Sequence, residues 1–409
     1  MFRPVTHGLA AMAVLCALTA RAEAPPGGSV DALLALARQQ SPEVIALRLE
    51  ADAARERAAA SGALPDPTLR FEERGIAADM GVRSTKYTFI QPLPFWGKRD
   101  LRREAAEAEA DAAAAGSDAG WLELAARIKA AYALDYALAQ QLALSREVAD
   151  LLDRLAAISR NRYANGLAPQ QDAIRARVER TALQTEIVQL ENERHHAQVR
   201  INGLLARPSH AALAEPQAPR AMPSRLDHAA LEERLRAKNP SLFADEARIR
   251  AAQSNRDATY RNRYPDVALG VSPIQTGSRV SEWELMLEVN IPLQQGSRRS
   301  HERESERMLE AARARRDAGA NRLVSELAEN VSAFEAAQRI EQLTRGDLLP
   351  QAELTFQAAL AGYENGKVDF ATLLDAQRQI RKAKQDVIKA QAEQQARLAE
   401  IEKLAGEEL

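Results

Sequence analysis

Residues 280–293 read VSEWELMLEVNIPL, and their alternation decides the fold. Ser281, Trp283, Leu285, Leu287, Val289 and Ile291 fall on one side of an extended chain. Glu282, Glu284, Met286, Glu288 and Asn290 fall on the other. A period of two over this length is a strand with one apolar and one wet face. The segment DVALGVSPI before it alternates through Val267, Leu269 and Val271, and QTGSR between them is a short turn. Earlier in the chain TLRFEERGI and YTFIQPL fill the same two slots. Strands are therefore expected at about 68–76, 84–93, 266–274 and 281–291. Nothing in the chain supplies a second sheet, and four strands are too few to close a barrel with a usable interior. Two solutions remain. One is a small soluble sheet packed on helices. The other is a barrel shared between subunits, with its apolar face toward lipid and Glu282, Glu284 and Glu288 toward a wet lumen.

The strands belong to a chain that repeats itself. SPEVIALRLEADAARERAAAS from Ser41 and NPSLFADEARIRAAQS from Asn239 each open with a capping residue followed by Pro, a sound helix start. Each helix leads to a Pro-Asp pair, at Pro65-Asp66 and Pro265-Asp266, then to two strand-like segments. A Gly with basic neighbours follows, in PFWGKR at Gly97 and QQGSRR at Gly296. Pro92, Pro94, Trp96, Gly97 and Gly296 are read as the strand-to-helix junctions. Last in each unit comes Tyr-x-Asn-Gly, at Tyr163 and Tyr363. Markers in one order at near-constant spacing define two copies of one unit, 25–207 and 225–409. The connector 208–224 between them is Pro-rich.

Within each unit the helices are long. A helix from about Lys98 to Arg162 would extend on the order of 100 Å. Its apolar positions, such as Val148, Leu151, Leu152, Leu155 and Ile158, recur at helical spacing. After the first Tyr-x-Asn-Gly, Ile187, Leu190, Arg194, Ala197, Ile201 and Leu204 form a coiled-coil stripe with one charged member. Gly166 and Gly366 then mark turns between long helices, because Asn before Gly favours positive φ and chain reversal. Tip turns are expected near 163–170 and 363–370.

Composition agrees with thin helical layers: only 4% of residues are aromatic, and Ala contributes little apolar area. The first 24 residues are of another kind. Arg3, an apolar run from Leu9 to Leu18 and small residues at Ala20, Ala22 and Ala24 form a secretory signal (1–24). The single cysteine, Cys16, lies there, and Leu15 before it disfavours lipid attachment. Cleavage after Ala22 removes Arg3 and Arg21, taking the formal charge from −2 to −4. Such a near-neutral, mixed-sign chain gives no support for nucleic-acid binding. No later segment is apolar for 18 residues, so an exported chain is either soluble or inserted as strands.

FIQPLPFWGKR from Phe89, YANGLAPQQDAIRARVE from Tyr163, INGLL from Ile201, RYPDVALG from Arg263 and YENGKVDFATLLDAQRQ from Tyr363 carry a resemblance. In these motifs the chain resembles the TolC-like outer membrane efflux proteins, most closely their heavy-metal-efflux branch, over nearly all of its mature length. The resemblance implies a mainly α fold with a small β part. Three protomers, each giving four strands, would form a twelve-stranded outer membrane β-barrel, continued by a periplasmic α-helical coiled-coil barrel. It implies a homotrimer in the outer membrane of a Gram-negative bacterium, in contact with lipid. A periplasmic adaptor would join it to an inner-membrane RND-type pump, and no cofactor is needed. Tyr163, Asn165, Gly166, Leu167, Tyr363, Asn365 and Gly366 would form the tip that meets the adaptor. Asp375, in LLDA, matches a gate position of the family, and Asp172 follows the first turn as a second gate candidate. Thr372 stands at the family's other acidic gate position, from which Asp369 is offset. Heavy-metal cations are the cargo implied by the branch; a multidrug or type I secretion channel is the alternative.

Simpler roles stand beside these. Tyr163 and Tyr363 either pack the turns or touch the adaptor. Asp172 and Asp375 either gate the mouth or are solvated helix residues. Trp96 either anchors at the lipid boundary or packs inside the neck. An enzyme is disfavoured: there is no Gly-rich phosphate loop, no Gly-x-Ser-x-Gly and no His-Glu-x-x-His. His195 and His196 are adjacent and point about 100° apart on a helix, poor geometry for joint metal binding. An exported structural or adhesive coiled-coil protein would share the helices but has no need of paired alternating strands.

Overall fold

The computed structural model describes residues 25–74 and 83–409. The signal segment with Cys16 and the last two residues of the expected first strand lie outside the described residues. The first unit runs α1 (Val30–Gln40), α2 (Pro42–Ser61), β1 (Thr68–Arg74), β2 (Ser84–Leu93), α3 (Lys98–Ala164) and α4 (Gln170–Leu204). The second runs α5 (His228–Lys238), α6 (Pro240–Arg261), β3 (Asp266–Thr276), β4 (Arg279–Asn290), α7 (Gln295–Leu343), α8 (Leu349–Glu364) and α9 (Phe370–Ala405). No helix among the described residues is long and apolar enough to cross a membrane.

The short helices begin as their sequences dictate. Asp227 accepts from the backbone N–H of Ala229, and Asn239 from that of Ser241. Pro42 and Pro240 occupy first-turn positions, where a missing N–H costs nothing. The long helices pack in pairs, α3 with α4 and α7–α8 with α9, and α3 also carries α2, α6 and α9. Their cores are narrow. One cluster near the helix reversals holds Leu152, Leu155, Leu183, Phe370 and Leu373. Two others, around Leu33, Leu124 and Ile128 and around Leu235, Leu327 and Phe334, lie beneath α1 and α5. Arg194, the charged member of the stripe, is held by Asp135 at 3.2 Å and by Glu215 of the connector at 2.5 Å. Burial pushes the Asp135 carboxyl up, against the pull of Arg194.

A π-helical turn, Thr344–Leu348, joins α7 to α8, with Leu349 N–H donating to Thr344 O. Its cause is Pro350, whose ring in a regular helix would strike the carbonyl four residues back. One extra residue in the turn relieves that clash. The turn also sets register. Before it, buried residues of the units match at a separation of 199, as in Leu124 with Leu323 and Ile128 with Leu327. After it they match at 200, as in Leu152 with Ala352.

The four strands form one antiparallel sheet in the order β1-β2-β3-β4, so β2 and β3 join the two units. Cross-strand pairs Leu69–Phe89, Phe89–Val271 and Val271–Leu285 place one apolar row on a single face. The face is bare: Leu285 is 89% exposed, and Phe71, Trp283 and Leu287 are exposed beside it. The opposite face carries Arg70, Lys86, Thr88, Ser272, Glu282, Glu284 and Glu288. Lys86 pairs with Glu284, and Ser272 Oγ donates to Thr88 Oγ1 at 2.9 Å. The β2–β3 ladder skips Pro273, which has no N–H to give, and the Ser272–Thr88 bond bridges that gap. The outer edges of β1 and β4 have no strand partner among the described residues.

Candidate functional site

Three regions hold the residues singled out in the sequence: the strand-to-helix junction, the polar sheet face and the helix reversals.

At the junction Pro92, one residue before the end of β2, pairs with Ala268, and Pro94 follows the strand. Gly97 takes φ 80° to start α3, and a Cβ there would meet Arg261 Nη1 at 3.3 Å. Lys98 is buried. Its Nζ donates to Asp266 Oδ1 at 2.8 Å and Tyr264 O at 3.1 Å, while Phe95 N–H donates to the same carboxylate at 2.8 Å. Phe95 stacks on Tyr264 with centroids 4.4 Å apart. These contacts tie the first unit's junction to the second unit's strand. Trp96 lies on the outside, 84% exposed, touching Phe95 edge-on. Gly296 differs from Gly97: it lies inside the first turn of α7, outside the set of glycines with positive φ. Sequence matching pairs these glycines, but only Gly97 meets a backbone need. Lys98 and Asp266 were missed by sequence reading. A Lys directly after a left-handed Gly, opposite a Pro-Asp, was the available signal.

At the reversals both Tyr-x-Asn-Gly segments fold into the same helix stop. Gly166 N–H donates to Tyr163 O and Leu167 N–H to Arg162 O, at 2.9 and 2.8 Å. Gly366 N–H donates to Tyr363 O and Lys367 N–H to Gly362 O, at 3.0 and 2.8 Å. Gly166 and Gly366 have φ 71° and 69°, the left-handed residue that this paired-bond ending requires. The Asn165 and Asn365 side chains donate back to Asn161 O and Ala361 O, both at 2.8 Å. The Tyr carbonyl, the Asn amide and the Gly N–H of the motif thus each make a bond in this stop, in both copies.

The two tyrosines part company. Tyr163 is 47% exposed, whereas Tyr363 is 2% exposed and crosses to the first unit. Its Oη donates to Asp172 Oδ2 at 3.2 Å and lies 3.1 Å from Ser159 Oγ. Arg162 lies over its ring at 5.0 Å and donates to the carbonyls of Glu364 and Leu167. Burial, and the Asp172 carboxylate, push the Tyr363 phenol up, so it stays a donor at physiological pH. Asp172 is buried, while Asp375 is exposed and pairs with Arg378 at 3.1 Å. Asp369 caps α9, accepting from Thr372 N–H at 2.9 Å and Thr372 Oγ1 at 2.5 Å. Further up, Arg378 grips Glu179 at 2.6 Å and Arg381 grips Glu186 at 2.7 Å. The Arg378 hydrogen bond holds the Glu179 carboxyl below its usual range. Sequence reading missed Ser159, Arg162 and these pairs, because each partner is about two hundred residues away.

Among the described residues, no group of three or more His, Cys, Asp or Glu side chains is placed to hold a metal ion. The arrangement is a long two-layered helical wall with a two-faced sheet at one pole and paired, cross-linked turns at the other, the build of a membrane-duct protomer. A family model described as outer membrane efflux protein matches residues 33–207 and again 231–407. The chain belongs to the outer membrane efflux protein family. It is 24% identical over 365 residues to the cobalt-zinc-cadmium resistance protein CzcC of Cupriavidus metallidurans, covering 87% of this chain and 84% of that one. Its fold matches a crystal structure of CusC with TM-score 0.81, at 17% identity and 92% coverage of both chains. It matches VceC of Vibrio cholerae with TM-score 0.80, at 18% identity, covering 93% of this chain and 96% of that one. The protein is therefore an outer-membrane channel of the TolC type, with a large helical portion in the periplasm. Its general role is that of the exit duct in a tripartite efflux system.

Proposed function

We propose that three copies close into one passive duct, with the bare apolar sheet faces toward lipid and Glu282, Glu284 and Glu288 toward the lumen. The observation that carries this is the two-faced sheet, whose unpaired β1 and β4 edges need a neighbour on each side. The exposed Trp96 then serves as an interfacial anchor at the periplasmic boundary. The reversals at Gly166 and Gly366 meet a periplasmic adaptor linked to an inner-membrane pump, and the Tyr363–Asp172–Ser159 cluster latches the mouth shut.

The polar sheet face supports a duct of broad, multidrug-type cargo chosen upstream. Its carboxylates are accompanied by Arg70, Arg74 and Lys86, and Lys86 already occupies Glu284. A second reading, heavy-metal cations, is supported by the likeness to the cobalt-zinc-cadmium resistance protein. Deleting the gene and restoring it on a plasmid separates the two. Under the broad reading, loss sensitises cells to dyes and drugs and leaves cobalt, zinc and cadmium tolerance unchanged. Sensitivity to the metals alone would replace it with the second.

Adaptor docking has its own test. A β-branched side chain at φ near 70° costs about 1–2 kcal/mol of local strain. Gly166→Val has open space around it, and Gly366→Val meets Arg162 Nη2. Both variants are expected to assemble at normal yield and lose most chemical cross-linking to the adaptor. Undiminished cross-linking would remove the turns from the docking surface.

A further inference from the structure

The apolar row of the sheet runs on past β4. Ile291 and Leu293 continue it and are exposed, and Trp96 and Tyr264 are exposed at the same junction. Basic residues follow at once, and they are concentrated in the second unit. Arg261 and Arg263 stand at the end of α6, and Arg298, Arg299 and Arg303 at the start of α7. Where the second unit has Arg261, Arg263 and Arg299, the first has Ser61, Ala63 and Asp100.

Little acid balances this cluster. Asp266 is taken by Lys98, and Glu302 is bound at two points by Arg263, at 2.7 and 2.9 Å. The Arg263 bond, with Arg298 and Arg299 nearby, holds the Glu302 carboxyl below its usual range. Arg261 and Arg298 are pinned on backbone instead of carboxylate, donating to Trp96 O at 3.2 Å and Arg263 O at 3.4 Å. In the first unit Arg99, the counterpart of Arg298, closes both Nε and Nη2 on Gly62 O, at 2.9 and 2.6 Å. Arg298 Nε, by contrast, is buried with no hydrogen-bond partner. It lies at the sheet-side end of a groove of about 790 Å³ between α6 and α7, which Thr259, Asn262 and His301 also line. A buried donor left unpaired costs free energy, so an acceptor from outside the chain is expected there.

We propose that this cluster is a docking surface for an anionic phospholipid of the periplasmic leaflet. The lipid phosphate accepts from Arg298 and Arg299, and headgroup hydroxyls meet Asn262 and Thr259. This rests on the proposed duct, whose apolar sheet face meets lipid. The depth fits. The headgroup layer on each side of a bilayer is about 5–8 Å thick. At 1.5 Å per residue, Arg298 and Arg299 lie about 5–6 Å into α7, which starts at Gln295. Their guanidinium groups thus fall at the level of phosphates while Ile291 and Leu293 fall at the level of acyl chains. Arginine forks suit phosphate oxygens, and a negatively charged membrane surface attracts such residues. A lipid is favoured over a free anion because the cluster continues directly from an exposed apolar row, which a free anion would leave uncovered.

The full-length protein, purified in mild detergent, would be titrated with phosphatidylglycerol or phosphatidylcholine and weighed intact by native mass spectrometry. Phosphatidylglycerol is expected to stay bound at about three per trimer, one for each copy, and at a concentration at least about tenfold below that needed for phosphatidylcholine. Arg298→Gln with Arg299→Gln should erase most of that preference, with the trimer mass and helical circular dichroism of the parent. Arg102→Gln with Arg103→Gln removes the same charge from the first unit and should keep it. Equal retention of the two lipids by a trimeric parent would overturn the site and leave the proposed duct standing. So would an unchanged preference in the first double variant, or an equal loss in the second. The parent's own comparison of lipids decides the matter where a variant does not assemble. Displacement of the lipid by an equal concentration of inorganic phosphate would overturn the lipid in favour of a free anion. A protein that stays in solution without detergent would overturn both the docking surface and the lipid-facing sheet.

Discussion

Glu402→Ala is expected to lower the stability of the fold by about 3–5 kcal/mol, the usual cost of stranding one partner of a buried ion pair. Glu402 is buried beside Lys129, with Nζ to Oε2 at 2.8 Å and both side chains almost wholly shielded. Its Oε2 also accepts from Arg220 Nη1 of the connector at 2.7 Å, and its Oε1 accepts from Leu409 N–H at 3.2 Å. One carboxylate thus ties α3, α9, the connector and the chain end together where the two units meet. With it gone, Lys129 keeps only Glu408, at 3.1 Å and mostly in water. The check is denaturant unfolding followed by near-ultraviolet circular dichroism. Replacing Lys129 and Glu402 together by Met should cost far less than either single change, since no charge is then left buried. A Glu402→Ala protein within about 0.5 kcal/mol of the parent would mean that water reaches the cluster and the connector is held by other contacts.

What could be read from the sequence follows the range of the interaction. The two-faced strand 280–293 was legible because alternation is local and exposure of its apolar face follows from the lack of anything to cover it. The predominance of long helices was legible for the same reason: Ala-rich, proline-free tracts have no other regular option. The turn chemistry of Asn-Gly is likewise written in adjacent residues. The divergence of Tyr163 and Tyr363 was not legible, because identical motifs meet different partners. Ser159 and Asp172 surround one tyrosine, and solvent surrounds the other within the chain. Pairs such as Arg378–Glu179 and Lys98–Asp266 needed the register of one unit on the other. That register depends on the single residue absorbed by the π turn. A sequence alignment of the two units carries an offset that changes from 199 to 200, and Pro350 is the only local sign of where.

Tyr363→Phe is expected to raise the opening frequency of the channel about tenfold, equivalent to about 1.4 kcal/mol, within the range for orphaning a buried acceptor. From the second unit the phenol bonds both Ser159 on α3 and Asp172 on α4. Removing the hydroxyl leaves Asp172 buried without that donor, while Phe keeps the packing on Phe370 and the Arg162 contact above the ring. If the cluster is the proposed latch, the closed mouth is weakened and the fold is not. Asp172→Ala should open the channel less, because it removes the carboxylate whose desolvation makes the loss expensive. The double variant should resemble the single Asp172 change, since both act through one bond. Planar-bilayer recordings give the opening frequency, and uptake of a large antibiotic by cells carrying each variant gives the same ranking in vivo. Closing should show no alkaline loss below pH 10, because burial and the Asp172 carboxylate hold the phenol above its ordinary value of 10.0. If Tyr363→Phe opens no more often than the parent while its thermal unfolding is unchanged, the cluster is packing and not a latch. The ion pairs at Glu179 and Glu186 would then be what holds the two hairpins of a chain together.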